Sequence, residues 1–253
     1  MSYWRYVRPD ENWSRVASWT ASTEQLGYEA ENVANDNPAL PWWSSSGTST
    51  LTVALSSPAV SVGIIALIHN NGDDGKTITI SGDISTTLTA AMSLSDYPKN
   101  LAHIPTVPVN AQDLTFAISG NSLDWAIGEL VIGPLRGFTD SLLVDPTPTF
   151  KKTRHTIKDM DEDHEHEIRT DLGSEIWTAT GRIYKDDAEY PDFLEWWEAS
   201  KGGTIPTLIV PDDLAEEPRL VRMESSLSHE RMYDDLNWVS VTFTECSRGI
   251  LIQ

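Results

Sequence analysis

PALPWWSSSGTSTLTVALSSPAVSVGIIALIHNN, residues Pro38–Asn71, is the stretch whose reading decides the fold. Thr50, Thr52 and Ala54 alternate with Leu51, Val53 and Leu55, so Leu51–Leu55 reads as a half-buried strand. Val60–Ile68 is almost continuously apolar and β-branched, which suits a strand buried deep in a sandwich. A loop bearing Trp42 and Trp43 precedes them. Asn70-Asn71-Gly72-Asp73-Asp74-Gly75 is a strong turn signal, and Thr77–Ser81 alternates after it, so a hairpin is expected there.

The same alternation returns outward along the chain. Asp113–Ser119 sets Leu114, Phe116 and Ile118 on one side, and Trp125–Ile132 follows a Gly120-Asn121-Ser122 turn. Strands at this spacing, with no helical pattern between them, predict an antiparallel sandwich. Met1–Asn37 reads as irregular. Gly133–Pro148, with Pro134, Pro146 and Pro148, is a change of composition, and the domain boundary is placed there.

The second half is also strand-rich. Glu175–Tyr184, Thr204–Val210, Leu220–Met223 and Asn237–Glu245 read as strands, the last with Val239, Val241 and Phe243 on one face. A single helix is predicted at about 188–200. Asp186 or Asp187 would cap it, Pro191 lies in its first turn and Gly202-Gly203 ends it. Phe193, Leu194 and Trp197 form its expected apolar stripe.

Composition narrows the function. The 253 residues carry 38 acidic and 18 basic side chains, a net charge of −20 spread over both halves. Such a surface repels phosphate, so stable nucleic-acid binding is not expected. Cys246 is the only cysteine, which excludes an intrachain disulfide. Met1–Asp10 has Arg5 and Arg8 and no apolar core, so no secretory signal is read there. The apolar run at Ala59–Ile68 is too short to span a bilayer, so membrane insertion is not expected.

No GxSxG, P-loop or GxGxxG pattern occurs, and no catalytic residue or cofactor is assigned. Asp159, Asp161, Glu162, Asp163, His164, Glu165, His166 and Glu167 are the one dense set of ligand-type side chains. Their spacing matches neither HExxH nor a calcium loop, and acidic runs are usually solvated, so no metal site is assigned. Cys246, at a strand end, reads as a small buried hydrophobe. Trp42 and Trp43, at the mouth of the sandwich, offer rings for a sugar face, with His69, Asn70 and Asn71 as hydrogen-bonding neighbours. Against that stands the plain alternative that these tryptophans plug the sandwich.

Trp43-Ser44-Ser45, the LTVAL strand (Leu51, Val53, Leu55) and Val62, Ile65, Leu67 and Asn70 of the next strand resemble discoidin-like, galactose-binding-like modules. Ser56-Ser57 replaces the usual strand-end glycine, and Ile127–Gly133 (IGELVIG) is similar to the module's last strand. The second half, with Gly181-Arg182-Ile183-Tyr184, DFLEWWEASKGG, IPTLIVPDD and NWVSVTFTEC, resembles distal-tail and hub proteins of long-tailed bacteriophages. The two resemblances imply a mainly β chain: a discoidin-like jelly-roll sandwich over 1–137, then a β-barrel-like tail-ring domain with one helix over 138–253. They imply a non-enzymatic structural protein of the virion tail tip, assembled in the host cytoplasm. It would self-associate as a ring, commonly a hexamer, between the tail tube and tail hub proteins. The alternative they carry is a carbohydrate-binding module that attaches the virion to host surface glycans.

Overall fold

The computed structural model describes residues 4–38, 40–90, 100–138, 143–144, 149–152, 155–161, 164–170, 175–211, 217–223, 227–233 and 236–246. The fold is mainly β, with antiparallel sheets and, among the described residues, one α-helix, Tyr190–Ala199.

The expected sandwich is present. Its first sheet has five strands in the order Ser18–Ala21, Ser49–Ala54, Asp113–Ile118, Thr77–Gly82, Thr86–Thr89. Its second has four, in the order Trp42–Trp43, Ala126–Gly133, Ile64–Asn70, Leu101–His103. Leu51, Val53, Leu114 and Phe116 from one sheet meet Ile65, Leu67, Leu130 and Ile132 from the other in one apolar core.

Two local expectations change. Val60–Ile68 is two strands, Val60–Val62 and Ile64–Asn70, broken at Gly63. A Cβ on Gly63 would stand 2.7 Å from the Leu135 backbone nitrogen, so the chain needs glycine to pass there. The turn at 70–75 does not close a hairpin. Ile64–Asn70 pairs with Ala126–Gly133 and Leu101–His103, whereas Thr77–Gly82 lies in the other sheet. The turn carries the chain from one layer of the sandwich to the other.

The second half builds one long sheet. Its order is Arg136–Gly137, Trp4–Val7, Thr207–Pro211, Arg219–Met223, Leu236–Glu245, Glu175–Tyr184, Leu143–Val144, with Thr149–Lys152 and Ser228–Tyr233 branching from it. This order does not close on itself among the described residues. Trp4–Val7 was expected to be irregular. It is a central strand of this sheet, paired with Thr207–Pro211 on one side and Arg136–Gly137 on the other. The expected division at residue 137 therefore leaves this strand with the sandwich in sequence but not in space.

Alternation along these strands feeds two interfaces. Tyr6, Ile209, Val221 and Phe243 face the helix, where Phe193 and Trp196 are buried. Val7, Leu208, Val210 and Leu220 face the sandwich, against Ile64, Ala66, Ile68 and Val131. The four-stranded sheet is thus covered on both faces, which explains why Ile64–Asn70 and Ala126–Gly133 are buried at every residue. The layers run helix, long sheet, four-stranded sheet, five-stranded sheet.

The helix begins two residues later than predicted. Asp187 Oδ1 accepts the Glu189 backbone N–H at 2.9 Å, forming a turn before the helix rather than a cap on it. The buried stripe is Phe193 and Trp196, not Trp197. Trp196 stacks on Tyr6 with ring centroids 4.1 Å apart. Lys201, Gly202 and Gly203 all take positive φ and turn the chain back into the sheet.

The acidic segment lies in a two-stranded hairpin, His155–Asp161 with His164–Thr170. Its side chains, His164 and His166 among them, fall outside the described residues.

Candidate functional site

The loops at one end of the sandwich hold four of the five residues expected to bind sugar. Trp42–Trp43 is a short strand paired with Ala126 and Ile127. Trp42 is fully buried, edge-on to Trp125 at 5.3 Å between centroids. Trp43 is 7% exposed and donates its indole N–H to the Asp124 carbonyl at 3.3 Å. Asn71 donates from Nδ2 to the same carbonyl at 2.8 Å and accepts the Ala126 N–H on Oδ1 at 2.6 Å. Asn70 Oδ1 accepts the Gly72 N–H at 3.2 Å.

Ser44, from the Trp-Ser-Ser element, completes the fastening. Its N–H donates to the Trp125 carbonyl and its hydroxyl oxygen accepts the Trp125 N–H, both at 2.8 Å. Asn121 then ties the 121–124 loop to Asn71 and Asp73.

His69 is not brought to this mouth. It is buried, with positive φ, and its backbone N–H donates to Asn100 Oδ1 at 2.8 Å. Asn100 in turn donates to the Pro218 carbonyl at 2.9 Å, so this position lies at the junction with the long sheet.

The expected sugar platform of Trp42, Trp43, His69, Asn70 and Asn71 is therefore corrected. All five are buried. Their rings and amides hold the loops together, and neither tryptophan presents a free face for stacking.

What the loop end does present is a different set. Gln25 and Tyr28 bridge across a tight turn whose tip is Leu26-Gly27. The Gln25 N–H donates to the Trp43 carbonyl at 2.8 Å, and the Trp43 N–H donates to the Tyr28 carbonyl at 3.2 Å. This mounts the turn on the buried tryptophan. The Tyr28 ring stands edge-on to Trp43 at 5.7 Å, and the residue is half-buried. Gln25 Nε2 donates to Asp124 Oδ2 at 2.9 Å. Leu26 is 98% exposed, and Leu40 and Leu123 are exposed on adjoining loops. Tyr28, Gln25 and Asp124 are thus brought together at this end, with exposed Leu26 on the same turn. Met1–Asn37 reads in sequence as irregular, which gives Tyr28 no site context. The signal available was Gly27, whose φ of 84° permits the tight turn beneath Tyr28.

Among the described residues no three His, Cys, Asp or Glu side chains converge as metal ligands. Burial pushes the Cys246 thiol up to about 12, the opposite of an activated nucleophile. The Asp83 carboxyl is held below its ordinary range by the backbone N–H groups of Gln112 and Asp113, a loop-bracing role. Among the described residues, no helix is long and apolar enough to cross a membrane.

No protein-family model matches this chain, and no curated protein does. Solved structures similar to it include a family 32 carbohydrate-binding module of Clostridium perfringens NanJ in complex with galactose. It is 17% identical with a TM-score of 0.38, and the match covers 51% of this chain and 98% of that one. The lectin-binding domain of lectinolysin complexed with Lewis b is 13% identical with a TM-score of 0.38, covering 49% and 95%. A chitosan-binding module of a Paenibacillus chitosanase/glucanase, in complex with chitotriose, is 15% identical with a TM-score of 0.37, covering 49% and 100%. Likeness at this level carries no argument about what this chain binds.

Proposed function

We propose that this chain is a non-catalytic carbohydrate-binding protein whose glycan site is the loop end around Tyr28, Gln25 and Asp124. The observation that carries this reading is half-buried Tyr28, its ring edge-on to buried Trp43 and its turn bearing the Gln25–Asp124 amide–carboxylate pair. A sugar needs an apolar ring face to stack on and polar groups beside it to fix its hydroxyls. The similar structures, by their own descriptions, are modules that bind galactose, Lewis b and chitotriose. On this reading the long sheet is the platform that carries the module, and attachment of a virion to host surface glycans is the setting that fits the resemblance of the second half.

A second reading has its own support. The sandwich is packed face-on against the long sheet, and the strand Trp4–Val7 crosses into that sheet. So firm a union suits a distal-tail-like scaffold that forms a ring between tail tube and hub and binds no sugar.

A glycan array with the purified chain separates the two. The first reading predicts binding to a defined glycan set, abolished in Tyr28→Ala with the near-ultraviolet spectrum unchanged. An empty array, together with ring-sized particles in mass photometry, supports the scaffold instead.

A further inference from the structure

Glu129 sits in the middle of the strand Ala126–Gly133, where every residue is buried, and is itself 0% exposed. Neither of its carboxyl oxygens makes a hydrogen bond of good geometry, the Asp36 backbone N–H being the donor at hand. It pairs across the sheet with Ile68 and shares a face with Val131, the face that packs on Leu208, Val210, Leu220 and Cys246. An acid has thus been set into the apolar seam that joins the sandwich to the long sheet.

The charged neighbours do not rescue its ionised form. Arg15, on the turn Trp13–Val16, is already engaged: Nε with Asp36 at 2.7 Å, and its terminal nitrogens with the carbonyls of Pro9 and Pro206. Asp36 adds a second negative charge nearby. From the next strand comes His69, beside Ile68. From the long sheet come Cys246, whose thiol is neutral across the ordinary range, with Arg222 beside it, and Glu245, whose carboxylate is paired to Arg219 at 3.0 Å. Burial, reinforced by the Asp36 charge and partly offset by Arg15 and by the Asp36 backbone N–H, pushes the Glu129 carboxyl well above its ordinary value.

We propose that Glu129 is a pH-sensitive fastener: neutral, it lets the sandwich close on the long sheet, and on losing its proton it loosens that joint. The sign follows from linkage. Its folded value lies above the unfolded one, so its contribution is complete below the unfolded value of 4.5. That contribution is lost as pH rises through the folded value.

The test compares the full chain with Glu129→Gln and Glu129→Leu, by urea unfolding from about pH 5 to about pH 9. The ratio of variant to wild-type folding constants should rise with pH, approaching tenfold per pH unit between the unfolded value of 4.5 and the folded value and levelling off above it. Hydrogen exchange at matched pH should show the wild-type excess first at Ile64–Ile68 and Leu208–Val210, ahead of Leu51–Val53 and Leu114–Phe116. A ratio that stays constant with pH overturns the proposal, as does an excess spread evenly over all four strands. Should neither variant fold, carboxyl carbon NMR of the wild type decides: a Glu129 midpoint near 4.5 overturns it, and one displaced upward supports it.

Discussion

The Trp196 indole N–H donates to the Thr207 hydroxyl at 2.8 Å. That hydroxyl in turn donates a hydrogen bond to the Val7 carbonyl at 2.7 Å. One side chain thereby ties the helix, the long sheet and the first strand of the chain together, across a separation of 200 residues. Thr207→Val keeps the shape but removes both partners, leaving a buried N–H and a buried carbonyl unsatisfied. Urea unfolding should show a loss of about 2–4 kcal/mol, whereas Thr207→Ser should retain most of the stability.

Asn71 fastens the loop end by a donor and an acceptor, to the Asp124 carbonyl and the Ala126 N–H. Asn71→Ala removes both and should cost ~1–3 kcal/mol. Because Trp43 shares the Asp124 carbonyl, its indole should become more accessible. Acrylamide quenching of tryptophan fluorescence is the readout, and unchanged quenching would show that the amide does not hold the loop.

Asp83 Oδ2 accepts the backbone N–H groups of Gln112 at 2.7 Å and Asp113 at 3.1 Å, which lowers its folded value below 3.8. A carboxyl shifted this way stabilises the fold above its unfolded value, and the contribution is lost as pH falls through the folded value. Asp83→Asn should therefore melt below wild type near neutral pH, with the gap closing in strong acid. This slope is opposite in sign to that of Glu129, so the two acids are separable in one pH series.

Gly63 marks the break between Val60–Val62 and Ile64–Asn70, with Leu135 against its back. Gly63→Val forces the Leu135 segment away and should destabilise by about 1–3 kcal/mol in thermal or urea unfolding.

The run Ile64–Ile68 announced deep burial in sequence, but not that the long sheet supplies its second cover. The alternation of Leu51, Val53 and Leu55 was equally plain. Partner choice was not. The turn at Asn70–Gly75 has hairpin chemistry, yet such residues specify how a chain reverses and not which strand receives it. The pairing of Trp4–Val7 with Thr207–Pro211 is a contact across most of the chain, invisible to any local pattern. Trp42 and Trp43 misled for a related reason: the amphipathic ring suits a core and a sugar face equally, and only burial decides between them. Glu129 was visible as one acid in an otherwise apolar strand, but its isolation depends on Arg15 and Asp36, which sequence does not bring together.

The central claim concerns the surface at Tyr28. Titration of isotope-labelled chain with galactose and with chitotriose, followed by amide chemical shifts, tests it directly. Saturable shifts confined to Gln25–Tyr28 and Leu123–Asp124 are expected for at least one of the two, absent in Tyr28→Ala. Shifts mapping to another face of the sandwich, or none with either sugar at saturating concentration, would contradict it.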